Sequence, residues 1–364
     1  MADKAVIQQR KSDHLAICRE RDVEFHSKNC WLEHVELIHQ ALPSFSPSEV
    51  ELRVRFLGRD LAAPFLIGAM TGGTQEGGRI NRTLARVASD LGIGLALGSQ
   101  RPMLEEPRLK GTFDVRAAAP DILLLGNIGL SQAMTLPLKR IVELMKSIGA
   151  DGICLHLNAA MEMSQVEGDE PRGRSEGAIR RLAAALGERL IVKETGCGMA
   201  RETAERLMRL GVKTIDVAGA GGTSWVRVEN LRRGGVPAGR DELEEWGIPT
   251  AASLIELQPL LGTERAPRLR VIASGGLRSG MDLAKSIALG AQLGSAALPV
   301  LRVLHHAGEK GLRNWLAGML AELRCVMVLC GCRDLAALRR APVVLSGPLQ
   351  NWAEQRRVRS RSRG

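Results

Sequence analysis

Short apolar runs that end in glycine or in polar residues recur along most of the chain. Near-continuous apolar runs of this kind are typical of parallel strands that are buried on both faces. The pattern predicts eight strands, at residues 64–73, 93–101, 122–129, 152–158, 190–196, 214–222, 270–276 and 291–297.

Between these runs, apolar residues recur three or four positions apart, which is the helical period. The clearest case is residues 200–211, where Gly211 stands at the expected end of the helix. Strand and helix alternating eight times favour a (β/α)8 TIM barrel over an open doubly wound sheet. Residues 230–266 are predicted to be a long insertion after the sixth strand, and such insertions often cover an active site.

Three regions are predicted around this pattern: an N-terminal extension at residues 1–63, the barrel at 64–350, and a basic tail at 351–364. The formal net charge of the chain is +10, and the stretch WAEQRRVRSRSRG at the end carries five Arg and one Glu. A tail without apolar periodicity is expected to be disordered. The rest is only mildly basic, which suits a small anionic ligand, so no nucleic-acid partner is expected.

Cysteine content and hydropathy indicate in which cellular compartment the protein is expected. The seven cysteines are odd in number and mostly lie among apolar residues, which favours a reduced, cytoplasmic protein with packing thiols. The first residues are polar and charged, and the longest uncharged run is too short for a membrane-spanning helix. We therefore expect a soluble protein without a membrane partner.

The predicted strand ends carry the candidate chemistry, because active sites of such barrels gather at the carboxyl ends of the strands. Polar residues end seven of the eight predicted strands. Residues 273–280 and 294–298 are glycine-rich or small-residue turns before a predicted helix, at the places where barrels commonly bind phosphate. A tight turn without a ligand is the alternative interpretation.

Two groups of cations complete the candidate set. Lys193 lies between the apolar residues 190–192 and the turn TGCG, and a buried ammonium needs an anion, either a ligand or a neighbouring carboxylate. Arg10, Lys11 and His14 lie within about one helical turn in RKSDH and could neutralise a diphosphate. Solvated surface charges are the alternative for this second group.

The motifs RKSDH, AMTGG, GSQR, NIG, HLN followed by Glu162 and QVEGD, VKETGCGM, DVAGAGGTSW and ASGGLRSG occur in this order between Arg10 and Leu298. As an ordered set they resemble the type 2, flavin-dependent isopentenyl-diphosphate isomerases. The resemblance implies a (β/α)8 fold and reduced FMN, Mg2+, and NADPH or another reductant. It also implies interconversion of isopentenyl and dimethylallyl diphosphates and a homo-oligomer, either a tetramer or an octamer.

The resemblance also implies roles for individual residues. FMN would contact Ala69, Met70, Thr71, Ser99, Asn127, Lys193, Thr223, Gly275, Gly276, Arg278, Ala296 and Ala297. The substrate diphosphate would contact Arg10, Lys11, His14, Ser99, Gln100 and Arg101. Glu162 would bind Mg2+. The candidate catalytic residues are His156, Met161, Lys193 and Trp225.

Met161 departs from the family, which normally has Gln at this position. A thioether cannot donate a hydrogen bond and accepts one only weakly. An FMN-dependent barrel enzyme with a different substrate, or a catalytically weakened flavoprotein, therefore remains an alternative. A 2-hydroxy-acid oxidase is not favoured, since DVAGAGGTSW lacks the expected His, and an inosinate-type dehydrogenase would need a Cys within residues 216–250, which contain none.

Overall fold

The protein is described here by a computed structural model covering residues 2–164, 175–235, 241–263 and 268–357. Eight parallel strands close into a barrel in chain order, and the last strand pairs with the first. The barrel strands are β4 Phe65–Ile67, β5 Gly94–Ala96, β6 Leu124–Gly129, β7 Gly152–His156, β8 Leu190–Lys193, β9 Thr214–Asp216, β10 Arg270–Ser274 and β11 Leu293–Ala296. The predicted (β/α)8 barrel is confirmed, and each barrel strand lies within a predicted run.

Helices surround the barrel and precede and follow it. Their hydrophobic faces pack on the strands in one continuous core, which includes Phe65, Leu95 and Ile215. The helices are α1 Ala2–Glu20, α2 Gln75–Leu91, α3 Arg101–Glu105, α4 Leu130–Thr135, α5 Leu138–Ser147, α6 Ala159–Ser164, α7 Ser175–Leu186, α8 Arg201–Arg209, α9 Trp225–Arg232, α10 Thr250–Leu257, α11 Gly280–Ala288, α12 Leu298–Leu329, α13 Leu335–Arg340 and α14 Gly347–Gln355.

A hairpin closes the amino-terminal end of the barrel. Strands β2 Val54–Phe56 and β3 Arg59–Leu61 pair antiparallel. Phe56 and Leu61 are buried against a cluster inside the barrel that includes Leu125 and Ile191. The barrel is therefore a filled core at this end, and any ligand must enter from the carboxyl ends of the strands.

The two terminal regions meet in a second small sheet. Strand β1 Val35–Leu37 pairs antiparallel with β12 Val343–Leu345. Helix α1 contacts both α9 and the start of α12, so it lies across the carboxyl-terminal end of the barrel. This placement brings residues from the first twenty positions close to the strand ends.

Two predictions about the surroundings of the barrel are wrong for part of their residues. Residues 250–257 lie in the predicted insertion, but they form the buried helix α10, which packs against α8 and β10. The predicted disorder from residue 351 fails for residues 351–355, which belong to α14. Trp352 Nε1 and Arg356 Nε both donate to the buried carboxylate of Glu256, at 2.9 and 2.7 Å. Residues 358–364 of the tail lie outside the described residues.

Among the described helices, none is both long enough and apolar enough to cross a membrane.

Candidate active site

A cavity opens at the carboxyl-terminal end of the barrel, and residues at or just after all eight barrel strands line it. Helix α1 supplies a further wall through Arg10, Lys11 and His14. The cavity volume is about 1910 Å³ including the open space at its mouth. Because the other end of the barrel is filled, this cavity is the candidate active site.

Lys11 is one of the cations that line the cavity, and two backbone carbonyl groups hold its side chain in place. Its Nζ donates to the carbonyl oxygens of Gly72 at 2.7 Å and Ser99 at 2.9 Å, which follow the first two barrel strands. Burial and the neighbouring Arg10 lower the pKa of Lys11 to about 7. Arg10 and Arg101 line the same part of the cavity. Three cationic side chains therefore converge where a diphosphate could be bound by charge-assisted hydrogen bonds.

His156 ends strand β7 and is held by a neighbouring strand. Its Nδ1 lies 2.7 Å from Asn127 Oδ1, so the neutral ring donates from Nδ1 and leaves Nε2 as an acceptor. Burial, together with the charges of Lys193 and Lys11, lowers the pKa of His156 to about 3. His156 is therefore neutral near pH 7 and offers a hydrogen-bonding nitrogen rather than a charge.

Glu162 and Met161 lie together on α6 at the cavity wall. The Asn158 amide donates to Glu162 Oε1 at 3.0 Å and lies 3.9 Å from the Met161 sulfur, which makes that second contact weak. Mg2+ is usually bound in enzymes by one or two carboxylates together with substrate phosphates and water. In the described residues no group of three or more His, Cys, Asp or Glu could hold a metal ion, so Glu162 would need the substrate to complete such a site.

Lys193 ends strand β8 and lines the floor of the cavity. Its Nζ donates to the carbonyl of Glu194 at 2.5 Å. The Glu194 carboxylate turns away into a nest of backbone N–H groups, accepting from Thr195, Gly196 and Cys197 at 2.5 to 2.8 Å. Burial raises the pKa of Glu194 to about 7, although these hydrogen bonds lower it. This turn fixes the backbone from which Lys193 projects.

The glycine-rich turn after β10 packs closely against the loop that follows β9. Gly275 and Gly276 have φ angles of 96° and 84°, which favour glycine. A Cβ on Gly275 would lie 2.0 Å from the carbonyl oxygen of Gly219, and a Cβ on Gly276 would lie 2.7 Å from that of Gly221. Both glycines line the cavity, so the turn allows a ligand to approach the backbone closely.

The expected anion site at the start of α11 needs correction. The Asp282 carboxylate accepts from the backbone N–H groups of Arg278 and Ser279 at 2.9 and 3.1 Å, and Glu322 accepts from Gly280 at 2.7 Å. These two carboxylates already cap the helix. The start of α12 differs, since its first turn holds no acidic residue and Ala297 provides no side-chain cap within the described structure. An anion would therefore be stabilised between the glycine turn and α12 rather than at α11.

An unsatisfied hydroxyl supports a ligand in this cavity. Thr71 is only 4% exposed, and its Oγ1 has no hydrogen-bond partner among the described residues, although the residue lines the cavity. A buried polar atom without a partner is costly, so a ligand with an acceptor or donor would satisfy it. The open glycine turn, the uncapped α12, Lys193 and this hydroxyl fit a flavin mononucleotide, which combines a phosphate with a polar ring.

Trp225 and His14 also line the cavity and contact each other. Their rings meet edge to face with centroids 5.5 Å apart. His14 Nε2 also lies 2.6 Å from Oε1 of the buried Glu229. Burial raises the pKa of Glu229, but the hydrogen bonds from His14 and Arg232 outweigh it and lower the pKa to about 2. This contact anchors the segment of α1 that carries Arg10, Lys11 and His14 to α9.

Gln100 is the one predicted site residue that the structure does not bring to the cavity. It is fully buried, and its amide donates to the carbonyl of Leu144 at 3.2 Å while its Oε1 accepts from the backbone of Asn127 at 3.1 Å. Its side chain therefore faces the helix layer. The sequence motif GSQR shows three consecutive polar residues but cannot show in which direction each side chain points. Every other predicted site residue lines the cavity.

Several cavity residues were not predicted. Asp216 ends strand β9 and could have been found as a polar residue closing an apolar run. Glu24 lies in the loop after α1 and forms ion pairs with Arg278 and with Arg302. No sequence pattern marks Glu24, because only the folding of α1 over the barrel brings it there. Gln165, Glu167 and Asp169, which belong to the motif after Glu162, lie outside the described residues.

Comparison with known proteins agrees with this geometry. Residues 129–345 match the family model described as FMN-dependent dehydrogenase. A protein of Metallosphaera sedula named isopentenyl-diphosphate delta-isomerase is 41% identical over 357 residues, and the match covers 95% of each chain. The Synechococcus sp. protein of the same name is 43% identical over 352 residues, covering 94% of this chain and 98% of that one.

Among solved structures, the chain resembles a mandelate oxidase with (S)-2-phenylpropionate, at a TM-score of 0.62 and 19% identity, covering 94% of this chain and 98% of that one. A flavocytochrome b2 with sulfite bound matches at a TM-score of 0.64 and 16% identity, covering 90% and 81%. At such low identity these structures show the fold alone. The identity of about 40% to the named isomerases extends over nearly the whole chain and is strong enough to show the family. The chain therefore belongs to the FMN-dependent, type 2 family of isopentenyl-diphosphate delta-isomerases.

Proposed function

We propose that this protein interconverts isopentenyl and dimethylallyl diphosphates in isoprenoid biosynthesis, with FMN bound in its reduced form. The observation that carries the proposal is a single cavity whose lining combines the cations Arg10, Lys11 and Arg101, the carboxylate of Glu162 and a glycine turn suited to a second phosphate. The family assignment supports the same reaction. The reaction adds a proton to the terminal alkene carbon and removes one from the CH2 group next to the internal alkene carbon, so the double bond moves by one position.

The substrate head group accounts for the cations and for Glu162. The diphosphate would lie against Arg10, Lys11 and Arg101, with Mg2+ between it and Glu162. Asn158 holds the Glu162 carboxylate in place by its 3.0 Å hydrogen bond. Fixing the diphosphate in this way would position the five-carbon chain for proton transfer, and positioning alone can contribute several orders of magnitude in rate.

FMN would contact the glycine turn, the start of α12, Thr71 and Lys193. When bound and reduced, it supplies a protonatable nitrogen beside an electron-rich ring. The Lys193 ammonium would stabilise negative charge on the flavin edge. Asn127 orients the His156 ring, which burial keeps neutral, as a hydrogen-bonding group beside the reacting alkene. NADPH as reductant, assembly into a tetramer or octamer and a cytoplasmic location are part of the same proposal.

Met161 is the observation that favours the second candidate, a flavoenzyme with a different substrate or with weakened turnover. Its thioether lies in the cavity wall beside Asn158 and cannot relay a proton. The identity to isomerases over most of the chain speaks against this alternative. An anaerobic assay with isopentenyl diphosphate, Mg2+, NADPH and FMN should yield the acid-labile allylic product. Binding and reduction of FMN without that product would favour the second candidate.

A further inference from the structure

A buried carboxylate that the proposed chemistry does not use faces the floor of the cavity. Asp216 is the last residue of β9, is 4% exposed and lines the cavity. Its Oδ1 accepts from the Ser274 hydroxyl at 2.5 Å and from the backbone N–H of Ala218 at 3.2 Å. An acidic side chain is rarely buried without a partner that compensates its charge.

The compensating charge comes from the neighbouring strand. Asp216 and Lys193 are register partners on β9 and β8, and both line the cavity. Burial raises the pKa of Asp216 on balance, and the Lys193 ammonium, the Ser274 hydroxyl and the N–H of Ala218 offset part of this rise. The two residues therefore attract each other across adjacent strand ends. In the described structure Lys193 Nζ donates to the backbone carbonyl of Glu194, so its attraction to Asp216 acts through space between the two strand ends.

Ser274 connects this pair to the glycine turn. It ends strand β10 and is followed directly by Gly275 and Gly276. The contact between Asp216 and Ser274 thus ties the Lys193 side of the cavity to the turn suited to a phosphate. Asp216 thus hydrogen-bonds to the end of β10 and lies beside Lys193 in the register of β8.

We propose that Asp216 is a positioning residue that holds the Lys193 ammonium at the flavin edge and joins it to the phosphate-binding turn through Ser274. This inference rests on the proposed use of FMN. It predicts that Asp216 favours the reduced, electron-rich flavin indirectly, through Lys193. A carboxylate acting only through its own charge would do the opposite, since it would repel that flavin.

The preference of the protein for reduced over oxidised FMN changes in opposite directions for these two roles, so measuring it distinguishes them. FMN affinity is measured for the oxidised and for the reduced cofactor, by fluorescence quenching and by anaerobic redox titration of the holoprotein. If Asp216 positions Lys193, Asp216→Asn should lower the preference for reduced over oxidised FMN by about tenfold, the size expected for losing one favourable charge interaction in a partly screened site. An increase in that preference would overturn the proposal.

A double-mutant cycle tests whether Asp216 acts through Lys193. In the Lys193→Met background, Asp216→Asn should change the ratio by less than about twofold, because coupled residues are not additive. The same tenfold effect in both backgrounds would contradict the proposal. Ser274→Ala keeps both charges, so it should give a smaller change in the same direction and provides a second variant should Asp216→Asn fold poorly.

Thr214→Val is a matched control. Thr214 lies on the same strand, is fully buried, and its Oγ1 has no partner in the described part of the chain. This variant should leave the flavin ratio unchanged. A wild-type protein that binds no FMN would overturn both the inference and the proposed function. Wild-type binding together with an unchanged ratio in Asp216→Asn and Ser274→Ala would overturn the inference alone.

Discussion

The pKa of Lys11 gives a quantitative prediction for substrate binding. Its pKa is lowered to about 7, mainly by burial and then by Arg10. A diphosphate attracts the ammonium form, so binding should require protonated Lys11. With a pKa of about 7, the protonated fraction falls from about nine-tenths at pH 6 to about one-tenth at pH 8. Affinity for the diphosphate should therefore fall by about tenfold across this range on account of Lys11.

Calorimetric titration with inorganic pyrophosphate and Mg2+ measures this effect without turnover. Repeating the titration at pH 8 in buffers of different ionisation enthalpy should show uptake of close to one proton by the protein. Lys11→Arg keeps its charge throughout and should lose this pH step, while Lys11→Met should bind weakly at every pH. Since the ligand titrates identically with each variant, its own protonation cancels in the comparison. An identical pH profile in wild type and Lys11→Met would refute the reasoning.

Four further variants test other parts of the account. Met161→Gln should raise isomerase turnover about tenfold or more, because an amide can donate and accept where a thioether cannot; an unchanged rate would show that no relay is needed there. Glu162→Gln should raise the Mg2+ concentration needed for half-maximal activity, and an identical metal titration would remove Glu162 as the ligand. Deleting residues 358–364 should change neither turnover nor Tm. Trp352→Ala should cost about 2–3 kcal/mol in chemical denaturation, because the buried Glu256 loses a donor; a change within error would contradict the packing of α14.

The periodic pattern of the sequence predicted the barrel because buried parallel strands and amphipathic helices have distinct periods. It also located most of the cavity, since the carboxyl ends of all barrel strands meet at one edge. Lys193 could be found in this way, whereas Glu162 was singled out by the family resemblance. Their partners could not be found, because hydrogen bonds such as that from Asn158 to Glu162 depend on side-chain direction.

The errors have a common physical origin in tertiary contacts. Gln100 turns into the helix layer although its neighbours in sequence, Ser99 and Arg101, line the cavity. The α11 start looked free in sequence, yet Glu322 from the distant helix α12 caps it. The end of the chain looked disordered by composition, but Glu256 on α10 binds Trp352 and Arg356. Each case depends on a residue far away in the chain.

The most direct test of the central claim is an anaerobic proton-NMR assay in D2O with isopentenyl diphosphate, FMN, Mg2+ and NADPH. Isomerisation by proton addition and removal predicts dimethylallyl diphosphate carrying deuterium from the solvent. FMN that is bound and reduced while isopentenyl diphosphate remains unconverted would contradict the assignment of this reaction to the cavity.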